Sequence, residues 1–328
     1  MDRRTFARGA LLGAGAWLLP RPVPVALARP DTPAAQPTVK IGLIADPHHG
    51  LAPDADKRLD AFMAAVADGR PDFLMQLGDF CHPPRAVKEA AAFLRAFESF
   101  RGPRYHVVGN HDLDLAKSKR EILDAWGLRE AFYSFDVGGF HFVVLDCNFV
   151  KLADGQYRDW ASGDRYENRI HPDQLDWLKA DLAATTLPTV VVSHQGFGPT
   201  ESEGVVPNGA DVRRVIAVAN KTATGGTVVL CLHGHNHHDG ASVVDGVHYV
   251  QLNSASYLWV GEQYGRLAPY SDALFAFLTL DPAGTIRLTG RESTFQKPTP
   301  TERKFPDADK VVAKIADRTL RFQPPRPN

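Results

Sequence analysis

The residues of this chain that could do chemistry are histidines, aspartates and one asparagine placed just past short apolar runs. The densest group closes residues 228–238, Val-Val-Leu-Cys-Leu-His-Gly-His-Asn-His-His. An apolar, β-branched run bounded by a turn residue, here Gly234, reads as a buried strand. His235 and His237 alternate around Asn236, so an extended or tightly turned backbone lets them reach two neighbouring points. Imidazole is the commonest metal ligand near neutral pH. Taken alone, the stretch also fits a histidine-rich surface turn. Four other apolar runs end in the same way. Asp46 and His48 follow 39–45, Asp79 follows 73–77, Asn110 and His111 follow 105–108, and His194 follows 189–193. The C-terminal ends of strands are where open α/β sheets hold their ligands.

With His111 set aside, these ends supply two carboxylates, one amide oxygen and four imidazoles. That donor set suits Mn, Fe, Zn or Co and needs no thiolate. Seven ligands exceed one tetrahedral site; they fit two ions if one carboxylate bridges. Asp79 stands alone at its strand end and is the natural bridge.

The elements that must position these residues follow from periodicity. Leu59, Phe62, Met63 and Val66 recur at helical spacing. Pro83 and Pro84 suit the first turn of a helix running to about residue 97. Strand–loop–helix repeats predict parallel strands joined by crossover helices. The second half changes to hairpins. Gly138-Gly139, Asp245-Gly246 and Asp281-Pro282-Ala283-Gly284 each separate two strand-like runs. Pro172 opens a helix with Leu175, Leu178 and Leu182 on one face, and another spans roughly 211–220. Two mixed sheets packed face to face, with helices outside, would bury both halves. Segments 147–170, with Tyr157, Trp160 and Tyr166, and 195–210 lie where loops could wall a site. Tyr257 and Trp259 form a third candidate wall, against the plainer reading that all these rings pack the loops onto the domain. Residues 297–328 read as a C-terminal extension, Pro-rich and charged over 297–310 with a short amphipathic helix after it, beyond a domain over 39–296 and a linker over 29–38.

Composition sets outer bounds. With 44% hydrophobic and 23% charged residues and a net charge of -1, the 328 residues are ordinary for a soluble globular chain. No basic stripe suggests a nucleic-acid polymer as partner. Arg3 and Arg4 precede an apolar run over 9–19 that is too short to span a bilayer, and Ala26-Leu27-Ala28 offers small residues for cleavage. This start resembles a twin-arginine export signal over 1–28. It implies the twin-arginine export machinery as a partner and a periplasmic or secreted protein; an uncleaved anchor is the other reading. Cleavage would leave 33 basic against 37 acidic residues, a mildly acidic chain. Cys81, Cys147 and Cys231 are too few and too widely spaced for a disulfide framework. They read as small buried residues, with one Cys81–Cys147 bridge as the alternative.

The series Asp-x-His, Gly-Asp, Gly-Asn-His-Asp, His and Gly-His-x-His runs in order from Asp46 to His237. It resembles the calcineurin-like metallophosphoesterase superfamily. The resemblance implies a four-layer α/β/β/α sandwich with two mixed β-sheets flanked by helices. It implies two divalent or trivalent ions, Mn, Fe or Zn. The first would be held by Asp46, His48, Asp79 and His237, the second by Asp79, Asn110, His194 and His235. A hydroxide bridging the ions would attack a small-molecule phosphoester, most readily a phosphodiester, with a phosphomonoester or a non-catalytic metal-binding scaffold as alternatives. His111 would donate to the leaving oxygen, and Asp112 would orient it or serve as a helix N-terminal acid. The superfamily's purple acid phosphatases place a ligating tyrosine three residues past the Gly-Asp aspartate. His82 stands there instead, which argues against a tyrosinate–iron variant and leaves His82 as a substitute ligand.

Overall fold

Parallel strands with both faces buried must be nearly all apolar, and alternate side chains must then serve two different layers. The chain obeys this in the computed structural model. It describes residues 37–328 except 83–93, 115, 165–166, 199–204, 223–226, 261–265 and 325–328. The 1–28 export segment, most of the helix opened by Pro83 and Pro84, and Tyr166 lie outside the described residues.

The first strands are β1 (Val39–Ile44), β2 (Phe73–Gln76), β3 (Arg104–His106), β4 (Tyr133–Val137), β5 (Phe140–Leu145), β6 (Phe149–Lys151) and β7 (Tyr157–Asp159). They are followed by β8 (Thr189–Ser193), β9 (Val228–His233), β10 (Gly240–Val244), β11 (Val247–Gln251), β12 (Ala276–Asp281), β13 (Thr285–Gly290) and β14 (Arg318–Arg321). One six-stranded sheet has the order β14-β13-β12-β1-β2-β3 and the other β10-β11-β9-β8-β5-β4. Both are mixed. β1, β2 and β3 run parallel, with β12 antiparallel to β1. β5, β8, β9 and β11 also run parallel, and the hairpin partners β4 and β10 close the edges of that second sheet. Gly138 and Gly139, and Asp245 and Gly246, all have positive φ. Two such residues make the turn whose twist matches a two-residue hairpin.

Alternation sorts the core into three interiors. Ile41, Leu43, Phe73 and Met75 of the first sheet meet Phe142, Val144, Val190, Val192, Leu230 and Leu232 of the second. Ile44 and Leu74 face the other way, onto Leu59, Phe62 and Val66 of the helix Ala55–Gly69. Val143, Leu145, Val191 and Cys231 face Leu178 and Leu182 of the helix Pro172–Ala184 and Val212 and Ile216 of the helix Gly209–Lys221. This is the four-layer α/β/β/α sandwich. Each fully buried Leu, Phe or Val contributes roughly 1.5–3 kcal/mol to holding a layer in place.

Two expectations change. No helix forms between residue 310 and β14: turns and irregular chain lead into β14, which pairs antiparallel with β13, Leu320 opposite Ile286. A sheet edge offers a row of unpaired N–H and C=O groups, and an alternating Arg-Thr-Leu-Arg stretch satisfies them with Leu320 turned to the core. Residues 318–321 of the C-terminal segment therefore belong to the sheet. The 147–170 segment holds the β6–β7 hairpin. Cys81, Cys147 and Cys231 are buried thiols in no disulfide, so the alternative bridge between Cys81 and Cys147 is absent. No helix among the described residues is long and apolar enough to cross a membrane.

Candidate metal centre

Strand ends from both sheets converge where Asp46, Asp79, Asn110, His194, His235 and His237 turn out of their strands. The turns are tight. Asp46, His48, Asp79, His235 and His237 all have left-handed φ between 46° and 72°. For residues other than glycine this conformation costs on the order of 1–2 kcal/mol each, and such strain collects at functional sites. Gly234 lets β9's loop come against Asp46: a Cβ there would sit 2.6 Å from Asp46 Oδ2.

Two groups of donors result. Asp46, His48 and His237 form one, and Asp79, His194 and His235 the other. In the first, His48 Nε2 lies 3.1 Å from His237 Nε2, and Asp46 Oδ1 is 3.4 Å from His237 Nε2. In the second, His194 Nε2 is 3.0 Å from Asp79 Oδ2 and 3.3 Å from His235 Nδ1. Asp79 Oδ2 also lies 3.9 Å from His48 Nε2, so this one oxygen faces both groups. The other oxygen, Oδ1, accepts the His111 backbone N–H at 2.8 Å.

Backbone carbonyls set the tautomers. His194 Nδ1 donates to Leu77 O at 2.8 Å, and His237 Nδ1 donates to Leu258 O at 2.6 Å. In the neutral ring each Nε2 then turns a lone pair inward, the usual arrangement of a ligating histidine. Burial pushes His48 and His235 well below the usual histidine range, so both rings stay neutral. Burial also opposes a proton on His194, but Asp79 outweighs it and carries the ring up to about 9. Burial works against the Asp79 charge, yet His194, His111 and His48 hold its carboxyl well below the ordinary carboxylate range. Two buried carboxylates beside imidazoles, with His194 held protonated by Asp79, make a place that favours positive charge. The donor set fits Mn, Fe or Zn. Asn110, the seventh expected ligand, is fully buried at the same strand ends. Its Oδ1 accepts from Gln195 Nε2 at 3.1 Å, while its Nδ2 has no protein partner.

His111 follows Asn110 on a short 3-10 turn, and the partner of its ring corrects the sequence expectation. Its Nδ1 lies 2.7 Å from Asp114 Oδ2. Asp112 instead turns inward and accepts from the N–H groups of Cys81 and Gly109 at 2.9 and 2.8 Å. Neighbouring side chains diverge on a helical turn, and residues three apart share a face. That spacing was the available signal for Asp114. Burial chiefly, with Asp79, raises Asp112 to about 7. Burial opposes a charge on His111, and Asp79 and Asp114 overcome it, so its pKa rises.

His82 does not join either donor group; it lies with Asp114 and His111. Trp259 stacks on His111, ring centroids 4.9 Å apart and planes within 4°, and meets the edge of His48 at 4.6 Å. Trp160 is buried in a core cluster with Phe80, Cys81 and Leu113, so it packs its loop down. Tyr157 rests on His171, and Tyr257 on the Arg58 guanidinium. Gln195, Leu77 and Leu258 also support the centre, and nothing in their residue types announced it.

The calcineurin-like phosphoesterase family pattern matches residues 39–239, which contain every donor of the centre. The chain is similar to a manganese-dependent ADP-ribose/CDP-alcohol diphosphatase of Arabidopsis thaliana, 25% identical over 228 residues, which are 57% of this chain and 72% of that one. Its fold is similar to that of a dimetal phosphatase from Danio rerio, with a TM-score of 0.61 and 16% identity over 87% of this chain and 99% of the other. It is also similar to that of a purple acid phosphatase from yellow lupin (Lupinus luteus), with a TM-score of 0.56 and 14% identity over 88% of this chain and 54% of the other. With more than half of its length matched, the chain belongs to the calcineurin-like phosphoesterase family, and it is a metal-dependent phosphoric ester hydrolase.

Proposed function

We propose that this enzyme cleaves a phosphorus that carries substituents on two of its oxygens: a phosphodiester, or the diphosphate linkage of a nucleotide conjugate. The observation that carries the reading is the shared oxygen, Asp79 Oδ2, set between two groups of buried donors with His111 beside them. Asp46, His48, Asp79 and His237 would hold one ion, and Asp79, Asn110, His194 and His235 the other. A pair of ions supplies charge to the phosphate oxygens and activates water near neutral pH. The chain's own residues do the rest. Asp114 holds His111 Nδ1, which leaves Nε2 to address the leaving oxygen, and the Trp259 indole lies flat beside the ring. A protonated His111 is a proton donor suited to a poor alkoxide leaving group. The activity named for the Arabidopsis relative supports the diphosphate arm of this reading.

A substrate panel tests it. Rates with Mn, Zn, Fe and Mg are compared on a bis-aryl phosphate, a mono-aryl phosphate, ADP-ribose and a CDP-alcohol. The expected result is a higher kcat/KM for the doubly substituted substrates. Preference for the mono-aryl phosphate would make the enzyme a phosphomonoesterase.

From Arg3, Arg4 and the small residues to Ala28 we infer export by the twin-arginine route to the periplasm or beyond. Sequencing of the mature N-terminus should begin at or near Arg29, and Arg3→Lys with Arg4→Lys should trap the protein in the cytoplasm. A periplasmic protein that retains Met1 would mean an anchored form.

A further inference from the structure

We propose that His82, His111 and Asp114 form an additional transition-metal site at the rim of the centre, and that an ion held there withdraws His111 from proton transfer. The consequence for activity rests on the proton-donor reading of His111 above; the site itself does not. One ligand atom from each residue lies within 4.8 Å of the others, and the three share no residue with either donor group of the centre. Asp114 Oδ2 is approached by two imidazole nitrogens, His111 Nδ1 at 2.7 Å and His82 Nδ1 at 3.2 Å. The second approach is badly directed: His82 Nδ1 is buried yet makes no hydrogen bond. A proton on one ring satisfies one pair and leaves the other nitrogen unpaired. An ion between the three atoms would take a lone pair from each.

Two imidazoles and a carboxylate suit Zn, Fe, Mn or Co, and three protein ligands leave a position open for water. The side chains of His82, His111 and Asp114 keep 26%, 16% and 12% of their surface exposed, so an ion can enter from solvent. Of the two donor groups of the centre, only His235 is not buried. The rings of His82 and His111 stand 5.1 Å apart, centroid to centroid. An imidazole with a metal on Nδ1 cannot also carry protons on both nitrogens. The ion would take the Nδ1 that Asp114 otherwise holds, so His111 loses the contact that aims its Nε2, and metal in excess of that needed by the centre becomes an inhibitor.

The test is a Co2+ titration of the whole protein by equilibrium dialysis, with hydrolysis followed in parallel. Wild type should bind one equivalent more than His82→Ala. At saturation of that equivalent its kcat should fall by roughly 10²–10⁴, the loss expected of a missing proton donor. His82→Ala should keep the activity seen at low metal and resist excess metal. His82→Phe, which keeps a ring against His111 but has no donor, guards against a folding defect and should behave like His82→Ala. Equal stoichiometry in wild type and both variants would overturn the site. An extra equivalent that binds without inhibition would keep the site and remove the proton-donor role from His111.

Discussion

Asp112 and Asp114 stand two residues apart and serve different ends. Asp112 ties the loop after β3 to the loop after β2 through the N–H groups of Gly109 and Cys81. Asp114 holds the His111 ring at Nδ1. His111→Gln should therefore retain bound metal and lose kcat by roughly 10²–10⁴. Asp114→Asn should retain metal in the centre and lose about 10–100-fold, the usual effect of removing an orienting partner. Metal analysis beside steady-state kinetics checks both, and loss of metal from His111→Gln would make His111 a ligand. Asp79 behaves otherwise. Its Oδ2 faces both donor groups, and its Oδ1 anchors His111 N. Asp79→Ala should empty both positions, measured as metal per folded chain; two ions retained would refute the bridge.

At the scale of elements, the loops decide what surrounds the phosphate. The loop after β11 bends at Trp259, with φ 48°, and lays the indole against His111 and His48. The loop after β5 turns Trp160 into the core instead. The two tryptophans should separate in kinetics. Trp259→Ala should raise KM for a nucleotide substrate by roughly 5–150-fold, since stacking of a base on an aromatic ring contributes about 1–3 kcal/mol. It should change kcat/KM for a small aryl phosphate much less. Trp160→Ala should lower Tm, by the roughly 3–5 kcal/mol expected of a large ring removed from a core, with KM unchanged in the protein that remains folded. Parallel losses on both substrates in Trp259→Ala would make its ring a packing residue. The C-terminal segment is tied to the chain just past the centre: Arg318 makes a two-pronged ion pair with Asp239, two residues past His237.

For the whole molecule, stability should depend on pH through histidines buried in neutral form. His106, at the end of β3, lies among Phe97 and Trp126. Burial, helped by Arg104, lowers its pKa to about 4. The unfolded chain takes up a proton near pH 6.5 and the folded chain only near 4. The contribution of a neutral His106 is thus complete above pH 6.5 and is lost as pH falls through that window, by about 3 kcal/mol. Denaturant unfolding between pH 4 and 7 should show this slope in wild type and a shallower one in His106→Phe. Identical slopes would remove His106 from the account.

Much of this was legible without coordinates because it is local. Apolar runs, turn residues and helical spacing are properties of neighbouring residues, so the strands β1, β2, β5, β8 and β9, the hairpin turns and the six residues of the two donor groups at strand ends could be read directly. Order along the chain also sufficed to suggest the family. Contacts between distant segments could not be read in this way. β14 became a strand because β13 left an edge to be paired, which outweighs the weak preference of a short charged segment. Asp114, rather than its neighbour, took His111 because a short 3-10 turn sends adjacent side chains apart. His82 met Asp114 because β2 and β3 are adjacent in one sheet. Which carbonyl fixes each imidazole, and which tryptophan faces the centre, depend on how two sheets and their loops pack. That packing is a sum over many distant contacts that no short stretch of sequence contains.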